Sequence, residues 1–305
     1  MGNQIQMLQS LKKEVHGKIL VNEPMKNHTT FKIGGPADFY IYPGDLEDLA
    51  NLVRFCEKEN IERFIIGNGS NLLVHDDGYR GIVIDLSSMM NEISFRNGLV
   101  TAGSGNCLSS LLKFCMERGL SGLEELIGIP GQIGGGIKLN AGAWENELSR
   151  HLFRVTYMDR FGTMEKRLKN EIKFDYRYCG LPDEAIIVEA EFRLAEGNPK
   201  EIEHIQKQIL LKRRSKQPLS LPSAGSVFKR PENDYAGRLI EESGCKGFRI
   251  GDAMISKKHA NFIVNCQFAS AHHVMQIIEE VRKRVLQRFE IGLELEIHLL
   301  GFEES

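Results

Sequence analysis

Six glycines and one proline in residues 128–144 (GIPGQIGGGIKLNAGAW) could shape a backbone that binds an anionic ligand. Glycine reaches positive φ and lets the main chain approach a ligand closely, and Pro130 fixes its own φ. Apolar residues are interleaved with these glycines, which argues against a flexible linker. We therefore predict an ordered loop whose exposed amides face phosphate oxygens, with a tight crossing between packed strands as the alternative.

A second glycine-rich segment, residues 67–71 (GNGSN), follows a predicted buried strand at residues 63–66. Its successive amides and the Ser70 hydroxyl could donate to an anion, although a turn between two strands would have a similar composition. Leu72 occupies the third glycine position of the dinucleotide fingerprint G-x-G-x-x-G, and no helix is predicted to follow. The chain also lacks the motif G-x-x-x-x-G-K-[ST], which argues against a P-loop nucleotide hydrolase.

Two segments in the second half place a single polar residue in an unusual setting. Arg177 lies between aromatic residues in the sequence KFDYRY, where a guanidinium can be held in a fixed orientation for a carboxylate. Ser226 follows a glycine in the sequence PSAGSVFKRP, where it could donate a proton or bind phosphate. Neither a nearby histidine or aspartate nor a G-x-S-x-G motif indicates a hydrolase, so a turn serine is the alternative.

Two acidic residues alternate with leucines near the end of the chain. Glu294 and Glu296 fall on the same face of a predicted strand at residues 293–300, because side chains alternate along a strand. One of the two could be buried and functional, or the pair could belong to an exposed strand face.

The elements that must position these residues mix strands and helices without a regular βαβ alternation, which predicts an α+β fold. Asp45 is predicted to cap a helix that follows it, and Gly119 to end another. The predicted helices are a short one near the N-terminus, one after Asp45, 108–118, 201–214, 236–244 and 271–289. The predicted strands are 28–42 with an interruption at 34–36, 63–66, 81–86, 99–103, 154–158, 164–168, 186–194, 262–264 and 293–300.

The composition is that of an ordinary globular protein, with 42% hydrophobic and 26% charged residues and a net charge of −2. This balance gives no reason to expect nucleic acid or an anionic membrane surface, and the apolar runs are shorter than the ~20 residues of a membrane span. The basic cluster at residues 212–216 is interpreted as a solvated helix end. The polar N-terminus has no apolar signal region, so we expect a cytoplasmic protein.

Six cysteines are scattered along the chain without a C-x-x-C pair, which argues against a disulfide framework and against a metal site. Cys56 and Cys115 lie within amphipathic helical patterns and are predicted to be small core residues.

Taken together and in this order, the motifs closely resemble the UDP-N-acetylenolpyruvoylglucosamine reductase family, in its shorter form. The resemblance runs from about residue 25 to 301. It is carried by 28–38 (HTTFKIGGPAD), 66–74 (IGNGSNLLV), 128–143 (GIPGQIGGG…NAGA), 174–177 (FDYR), 217–231 (QP…SAGSVFKRP), 259–265 (HANFIVN) and 295–301 (LEIHLLG).

The resemblance implies an FAD-binding domain of the vanillyl-alcohol oxidase type at residues 25–195, in two subdomains at about 25–97 and 98–195. A helix and linker at 196–220 and a substrate-binding domain at 221–302 would follow. It implies that NADPH reduces the flavin and then leaves. The enolpyruvyl ether of UDP-N-acetylglucosamine would then be reduced to UDP-N-acetylmuramate for peptidoglycan synthesis.

The resemblance also assigns roles to single residues. Arg177 and Glu296 would stabilise the enolate that forms when hydride from flavin N5 adds to the substrate, and Ser226 would donate the proton. Residues implied to bind FAD are Gly67, Asn68, Gly69, Ser70, Asn71, Pro130, Gly131, Gly134, Gly135 and Asn140, and residues implied to bind substrate are Tyr176, Lys229 and His259. The expected partners are small molecules only, without nucleic acid, metal or membrane insertion, and the expected state is a monomer.

The chain departs from the usual family pattern at four positions. Trp144 and Glu145 replace a tyrosine and a glycine, Cys179 stands where serine is frequent, and His298 replaces a frequent arginine. These changes put local substrate contacts in question but leave the three implied catalytic residues in place. The competing interpretations are a flavin oxidase acting on another alcohol or sugar, and a non-catalytic flavin or sugar-nucleotide binding protein.

Overall fold

The computed structural model describes residues 2–302 of the chain. Its helices are α1 (Gly2–Glu14), α2 (Leu46–Glu59), α3 (Leu108–Glu117), α4 (Ile133–Lys138), α5 (Leu148–His151), α6 (Pro199–Lys216), α7 (Ala236–Glu242) and α8 (Ala271–Phe289), with 3-10 turns at Met25–Asn27, Glu124–Leu126 and Lys169–Glu171. Its strands are β1 (Lys18–Pro24), β2 (Pro36–Tyr42), β3 (Arg63–Ile66), β4 (Leu72–Val74), β5 (Tyr79–Asp85), β6 (Ile93–Arg96), β7 (Leu99–Gly103), β8 (Leu120–Ser121), β9 (Gly142–Ala143), β10 (Asn146–Glu147), β11 (Leu152–Met158), β12 (Met164–Leu168), β13 (Phe174–Asp175), β14 (Tyr178–Cys179), β15 (Ile186–Phe192), β16 (Ala195–Glu196), β17 (Arg249–Ile250), β18 (Ala253–Ile255), β19 (Ile263–Asn265) and β20 (His298–Leu300).

The strands form several sheets of different sizes. A four-stranded sheet has the order β1-β2-β5-β3, with β3 parallel to β5, and an antiparallel sheet of five strands has the order β12-β11-β15-β7-β6. A smaller antiparallel sheet is formed by β17, β18 and β19, and β20 pairs in parallel with β4. The predicted α+β class is confirmed.

The described residues fall into two compact units that are interleaved along the chain. The first contains the chain up to Val21 together with Phe39–Gly67 and Gly81–Leu211. The second contains Asn22–Asp38, Asn68–Arg80 and the chain from Lys212 onward. The domain boundaries predicted from the sequence follow chain order and stay a prediction.

The first unit contains two apolar cores. In one, residues of α3 and α4 are buried with inward-facing residues of β7, β11 and β15. In the other, α1 and α2 contribute to the same cluster as Ile82 and Ile84 of β5. The second unit has a core built on α7 and α8, in which Phe31, Leu73 and Phe228 are also buried.

The helices with strong local signals lie where the sequence predicts them. The Asp45 carboxylate accepts a hydrogen bond of 2.9 Å from the amide of Asp48, which satisfies an N-terminal donor of α2. The bounds of α8 agree with the prediction, because Ser270 caps it and its buried residues recur every three or four positions. Gly119 ends the helical segment with a φ of +63°. Cys56 and Cys115 are buried as predicted, and burial raises the pKa of the Cys56 thiol to about 11 and that of Cys115 to about 12.

Two predicted strands are much shorter in the structure, and a third, at 186–194, ends two residues earlier at Phe192. Residues 28–33 form turns and irregular structure instead of the start of a strand. Lys32 has a φ of +58°, and the Thr29 hydroxyl donates to the carbonyl of Ile33. At the C-terminal end only His298–Leu300 is a strand, because parallel pairing with β4 begins at His298. Glu294 and Glu296 therefore do not lie on one face of a regular strand. The segment between the N-terminal helix and residue 28, for which no strand was predicted, contains β1.

Two further predictions need correction. Gly134 to Gly136 lie in the short helix α4, not in a loop, because the buried residues Ile133 and Ile137 are one helical turn apart and their packing outweighs the low helix propensity of glycine. The basic cluster at 212–216 is only partly solvated, because Arg213 is buried and burial lowers its pKa.

Candidate functional site

Ser226 lies in an extended segment of the second unit that is held on one side by Asn261. Ser226 forms an antiparallel bridge with Phe262, and the amide of Val227 donates to the carbonyl of Asn261 at 2.8 Å. The Asn261 side chain forms hydrogen bonds with both backbone groups of Phe228. Its Oδ1 accepts from the Phe228 amide at 3.0 Å, and its Nδ2 donates to the Phe228 carbonyl at 2.8 Å. Gly225, with a φ of +79°, turns the chain into this segment.

Glu296 lies on the other side of the same segment. Its amide donates to the carbonyl of Val227 at 2.8 Å, and Phe228 forms a bridge with Leu295. The amide of Lys229 donates to the carbonyl of Glu294 at 2.9 Å. The structure thus brings the segments that carry Ser226 and Glu296 side by side, although the two residues are far apart in sequence.

The glycine-rich loop at residues 68–71 is joined to the Glu296 segment by Asn71. The Asn71 side chain donates to the carbonyl of Glu296 at 2.9 Å, and its own carbonyl accepts from the amide of His298 at 2.9 Å. Parallel pairing of Leu72 with His298 continues this contact. The loop and the backbone of Glu296 therefore form one hydrogen-bonded assembly.

Thr30 links the same loop to the turn before Ser226. Its amide donates to the carbonyl of Gly69 at 3.3 Å, and its hydroxyl donates to the carbonyl of Ser223 at 2.7 Å. Gly69 has a φ of +56°, and a Cβ placed on it would lie 2.3 Å from the carbonyl oxygen of His28. Only glycine fits this position without a backbone shift.

Arg177 belongs to the first unit and occupies a strained turn. It is the second residue of the two-residue connection between β13 and β14, in which Asp175 pairs with Tyr178. Its φ of +56° is unusual for a residue with a long side chain. The guanidinium lies 5.0 Å from the ring centre of Tyr176, a cation–π contact that orients it.

The segment 130–135 of the first unit is supported by the turn after β7. The amide of Gly134 donates to the carbonyl of Ser104 at 3.0 Å, and the amide of Ile133 to the carbonyl of Asn106 at 2.9 Å. Gly67, at the end of β3, lies against the same segment, because a Cβ placed there would be 3.1 Å from Oε1 of Gln132.

Two features beside Gly134 fit a polar cofactor. The Ser104 hydroxyl is buried, with the residue 3% exposed, and has no hydrogen-bond partner among residues 2–302. Gly135 is exposed, and a Cβ added to it would meet no atom within 4 Å. A buried donor that protein atoms leave unsatisfied normally has a partner, so a ligand group at this glycine segment would complete it.

Comparison with known proteins gives the family. Residues 217–300 match the family model described as UDP-N-acetylenolpyruvoylglucosamine reductase, C-terminal domain, and residues 37–166 match the model of an FAD binding domain. A UDP-N-acetylenolpyruvoylglucosamine reductase of Syntrophus aciditrophicus is 43% identical over 298 residues, which is 96% of this chain and 95% of the relative. The chain belongs to this reductase family.

Further relatives agree with this assignment. A reductase of the same name from Caldanaerobacter subterraneus is 42% identical over 93% of this chain and 94% of its own length. The crystal structure of the enzyme from Thermus caldophilus matches with a TM-score of 0.79 and 33% identity, covering 94% of this chain and 99% of that one. As a member of the family, the chain is a flavin-dependent oxidoreductase with FAD as its cofactor, which confirms the resemblance predicted from the sequence.

The other residues predicted to bind ligands, Lys229, His259 and Asn140, differ in how far they are buried and in what they contact. Lys229 forms an exposed ion pair with Glu294, with 3.1 Å between Nζ and Oε2. His259 is half-buried, packs edge-on against Phe262 and accepts from the amide of Asn261 at 3.3 Å. Burial and the charge of Lys246 lower the pKa of His259, so the ring is held in its neutral form. The side chain of Asn140 is fully buried and forms hydrogen bonds with Glu147, Asp175 and Ser149.

The departures from the family pattern lie in different environments. Trp144 is 52% exposed at the tip of the β9–β10 hairpin, with a φ of +62°, and Glu145 follows it at the tip. Cys179 is buried, and burial raises its pKa. His298 is exposed at the surface, and partial desolvation together with the charge of Lys229 lowers its pKa.

Sequence reasoning missed three residues that build these segments: Ser104, Asn261 and Thr30. A signal for Ser104 was present, because the sequence GSGN at residues 103–106 follows a strand just as GNGSN does at 67–71. Asn261 and Thr30 carry no such signal, since their partners are 33 and 193 positions away in the chain.

The described chain also limits the classes of site. Among residues 2–302, no cluster of three or more histidine, cysteine, aspartate or glutamate side chains is arranged to hold a metal ion. No helix in that range has both the length and the apolar character needed to cross a membrane.

Proposed function

We propose that this protein uses NADPH to reduce the enolpyruvyl ether of UDP-N-acetylglucosamine to the lactyl ether, forming UDP-N-acetylmuramate for peptidoglycan synthesis. Membership of the reductase family and the activity for which its relatives are named support the reaction class. The observation that carries the proposal is the pairing of the Ser226 and Glu296 segments through the Val227 carbonyl. NADPH as reductant, a cytoplasmic location and a monomeric state belong to the same proposal.

FAD would be held by the two glycine-rich segments. We assign the first segment to Gly67, Asn68, Gly69, Ser70 and Asn71, and the second to Pro130, Gly131, Gly134 and Gly135, with the Ser104 hydroxyl beside it. Their amides suit phosphate oxygens, and the buried Ser104 hydroxyl suits a polar group of the cofactor. When bound, FAD supplies hydride transfer from NADPH to the methylene carbon of the enolpyruvyl group. The side chain of Asn140 is not included, because its donors and acceptor already bond to protein.

Arg177 and Glu296 are assigned to the charge that develops on the substrate. Hydride addition to the methylene carbon turns the enolpyruvyl carboxylate into an enolate, and a fixed guanidinium stabilises the growing negative charge. The positive φ of Arg177 and its contact with Tyr176 support this assignment, since strained backbone is retained mainly where it serves function. Tyr176, Lys229 and His259 are proposed to bind the rest of the substrate.

Ser226 is assigned as the proton donor. The carbon adjacent to the carboxylate must receive a proton, and the serine hydroxyl can supply it only to a strong base such as an enolate in a water-poor site. The Ser226 backbone is paired with Phe262, and the next residues are held by Asn261, so the hydroxyl starts from an ordered segment. Positioned general acids contribute typically 10²–10⁴-fold to a rate.

A two-step spectroscopic experiment tests the proposal. The purified protein should show a flavin band near ~450 nm that bleaches with anaerobic NADPH and returns when the UDP-enolpyruvyl sugar is added. Ser226→Ala should still bleach but should return about 10²–10⁴-fold more slowly. Ser215→Ala, at an exposed serine of α6, is the matched control and should behave as wild type.

The outcomes separate the competing interpretations. A protein that bleaches but ignores the sugar would point to an oxidase of another substrate. One that binds no FAD after reconstitution would refute the proposal altogether. Return of the band at the wild-type rate in Ser226→Ala would refute the proton-donor role alone.

A further inference from the structure

Asn140 connects three segments of the first unit from a fully buried position. Its Nδ2 donates to Oε2 of Glu147 at 2.8 Å and to the carbonyl of Asp175 at 3.1 Å. Its Oδ1 accepts from the amide of Ser149 at 3.3 Å, and the residue is 0% exposed. A primary amide has two hydrogens to donate, and here both go to partners on different segments.

One of these partners is the residue that precedes the Arg177 turn. Asp175 and Tyr178 pair across the turn, so the carbonyl of Asp175 lies at the start of the turn that contains Tyr176 and Arg177. The Asp175 carboxylate accepts from the amide of Tyr176 at 2.7 Å, which orders the turn locally. A left-handed backbone at Arg177 is costly and persists only where neighbouring structure holds it. The bond from Asn140 is a buried restraint of this kind.

The other partner belongs to the hairpin that carries Trp144. Glu147 lies on β10, and pairing of Glu147 with Gly142 closes the hairpin around Trp144 and Glu145. Nδ2 of Asn146 donates to the carbonyl of Gly122 at 2.7 Å and anchors one residue of β10. The bond from Asn140 anchors the other residue, Glu147, and ties the base of the hairpin to the Arg177 turn.

We propose that Asn140 is a positioning residue that fixes the Arg177 turn to the base of the Trp144 hairpin. The inference rests on the proposed function in so far as Arg177 is assigned to the substrate enolate. Its consequence is that the guanidinium owes its placement to an amide that touches neither substrate nor cofactor. A misplacement of about 1 Å at a reacting centre can lower a rate about 100-fold.

Asn140→Asp isolates the two donated bonds. Asn140 has a φ of +41°, and aspartate tolerates left-handed backbone nearly as well as asparagine, so the substitution leaves the backbone preference intact. The new carboxylate has the same shape, and in its ionised form it has no hydrogen to donate to the carboxylate of Glu147 or the carbonyl of Asp175. The assays are run at alkaline pH, because two facing carboxyl groups otherwise share a proton. Asn198→Asp is the matched control, because Asn198 is exposed and its Oδ1 accepts from the amide of Lys200, which aspartate can also do.

The expected result separates the two halves of the reaction. With NADPH, Asn140→Asp should bleach the flavin at close to the wild-type rate. With the enolpyruvyl sugar, the band should return about 100-fold more slowly, because only this step uses Arg177. In an Arg177→Lys background the same Asn140→Asp change should slow the return by less than about 3-fold, since the residue it positions is already altered. An equal loss in both backgrounds, or an equal loss of flavin reduction, would overturn the inference.

The only tryptophan of the sequence gives a readout that needs no substrate. Trp144 is at the hairpin tip, so breaking the Asn140–Glu147 bond should shift its emission, whereas Asn198→Asp should not. A wild-type protein that ignores the sugar would refute the proposed function without affecting this measurement. Unchanged emission in Asn140→Asp would count against the positioning role.

A second variant distinguishes the two bonds and guards against misfolding. In Asn140→Asp with Glu147→Gln, the glutamine amide can donate to the new carboxylate, which restores the link to the hairpin with reversed polarity. The link to Asp175 stays broken, because two acceptors still face each other. We expect the double variant to recover the Trp144 emission while the return of the flavin band stays slow. Recovery of both would show that the Asp175 bond does not position Arg177.

Discussion

Asn261 is the side chain that fixes the Ser226 segment, and its removal should be measurably destabilising. The residue is 7% exposed, and its amide bonds to both the N–H and the carbonyl of the buried residue Phe228. Asn261→Ala would leave these two backbone groups without partners. A buried orphaned group costs about 1–3 kcal/mol, so the loss of partners for both groups should lower the free energy of unfolding by about 2–6 kcal/mol. That is a large share of the roughly 5–15 kcal/mol that stabilises a typical protein.

Urea unfolding followed by far-ultraviolet circular dichroism measures this loss. Asn261→Asp should be no more stable than Asn261→Ala near neutral pH, because its carboxylate can still accept from the Phe228 amide but buries a charge and places a second acceptor against the carbonyl. Asn91→Ala, at an exposed asparagine, is the matched control and should stay within about 0.5 kcal/mol of wild type. If Asn261→Ala and Asn91→Ala unfold at the same urea concentration with the same slope, the reasoning about orphaned backbone groups is wrong.

Two more predictions concern the Gly69 turn and the response to pH. Gly69→Ala should lower both the unfolding free energy and the FAD content, because its Cβ would lie 2.3 Å from the His28 carbonyl oxygen at a φ of +56°. Gly98→Ala is the control, because Gly98 has a φ of +76° but a Cβ placed on it would meet nothing within 4 Å. This variant should lose only the cost of a left-handed backbone, about 1–2 kcal/mol of unfolding free energy measured by thermal unfolding. An equal loss of unfolding free energy in both variants would contradict the predicted clash at Gly69. Burial lowers the pKa of His151 in the folded protein, so the unfolded chain binds a proton more readily at this residue. The free energy of unfolding should therefore fall as the pH drops from 7.5 to 5.5, through the ordinary histidine pKa of about 6.5. Urea unfolding across this pH range should show a smaller fall in unfolding free energy for His151→Gln than for wild type. His204→Gln, at an exposed histidine, should match wild type. Equal pH slopes in all three proteins would exclude His151 as a source of the pH dependence.

Elements with strong local signals could be predicted from the sequence, because their determinants lie within a few residues of one another. The cap of α2 joins Asp45 to Asp48, and α8 is recognisable from Ser270 and a regular apolar stripe. The predicted strands 154–158 and 164–168 pair with each other over those residues in β11 and β12, because each carries its own local strand pattern. The predictions went wrong where packing outweighed local preference, as at α4 and at the buried Arg213.

The residues of the candidate site were identifiable as types before their arrangement was known. Glycines in 67–71 and 128–144, Arg177, Ser226 and Glu296 could all be selected from the sequence, and the order of their motifs indicated the family. Their partners could not be selected in this way. The bond from Asn71 to the backbone of Glu296 spans 225 positions of the chain, and no local pattern encodes such a contact.

The amino-acid sequence by itself determined the family, the cofactor class and the local elements, since these depend on residue types and short spacings. The tertiary structure alone decided which side chains hold the proposed catalytic residues: Asn261 the Ser226 segment, Asn71 the backbone of Glu296, and Asn140 the turn of Arg177. The physical reason is the same in each case. A backbone group that is wholly or partly withdrawn from water needs a hydrogen-bond partner, and an asparagine distant in sequence supplies it only after the chain has folded.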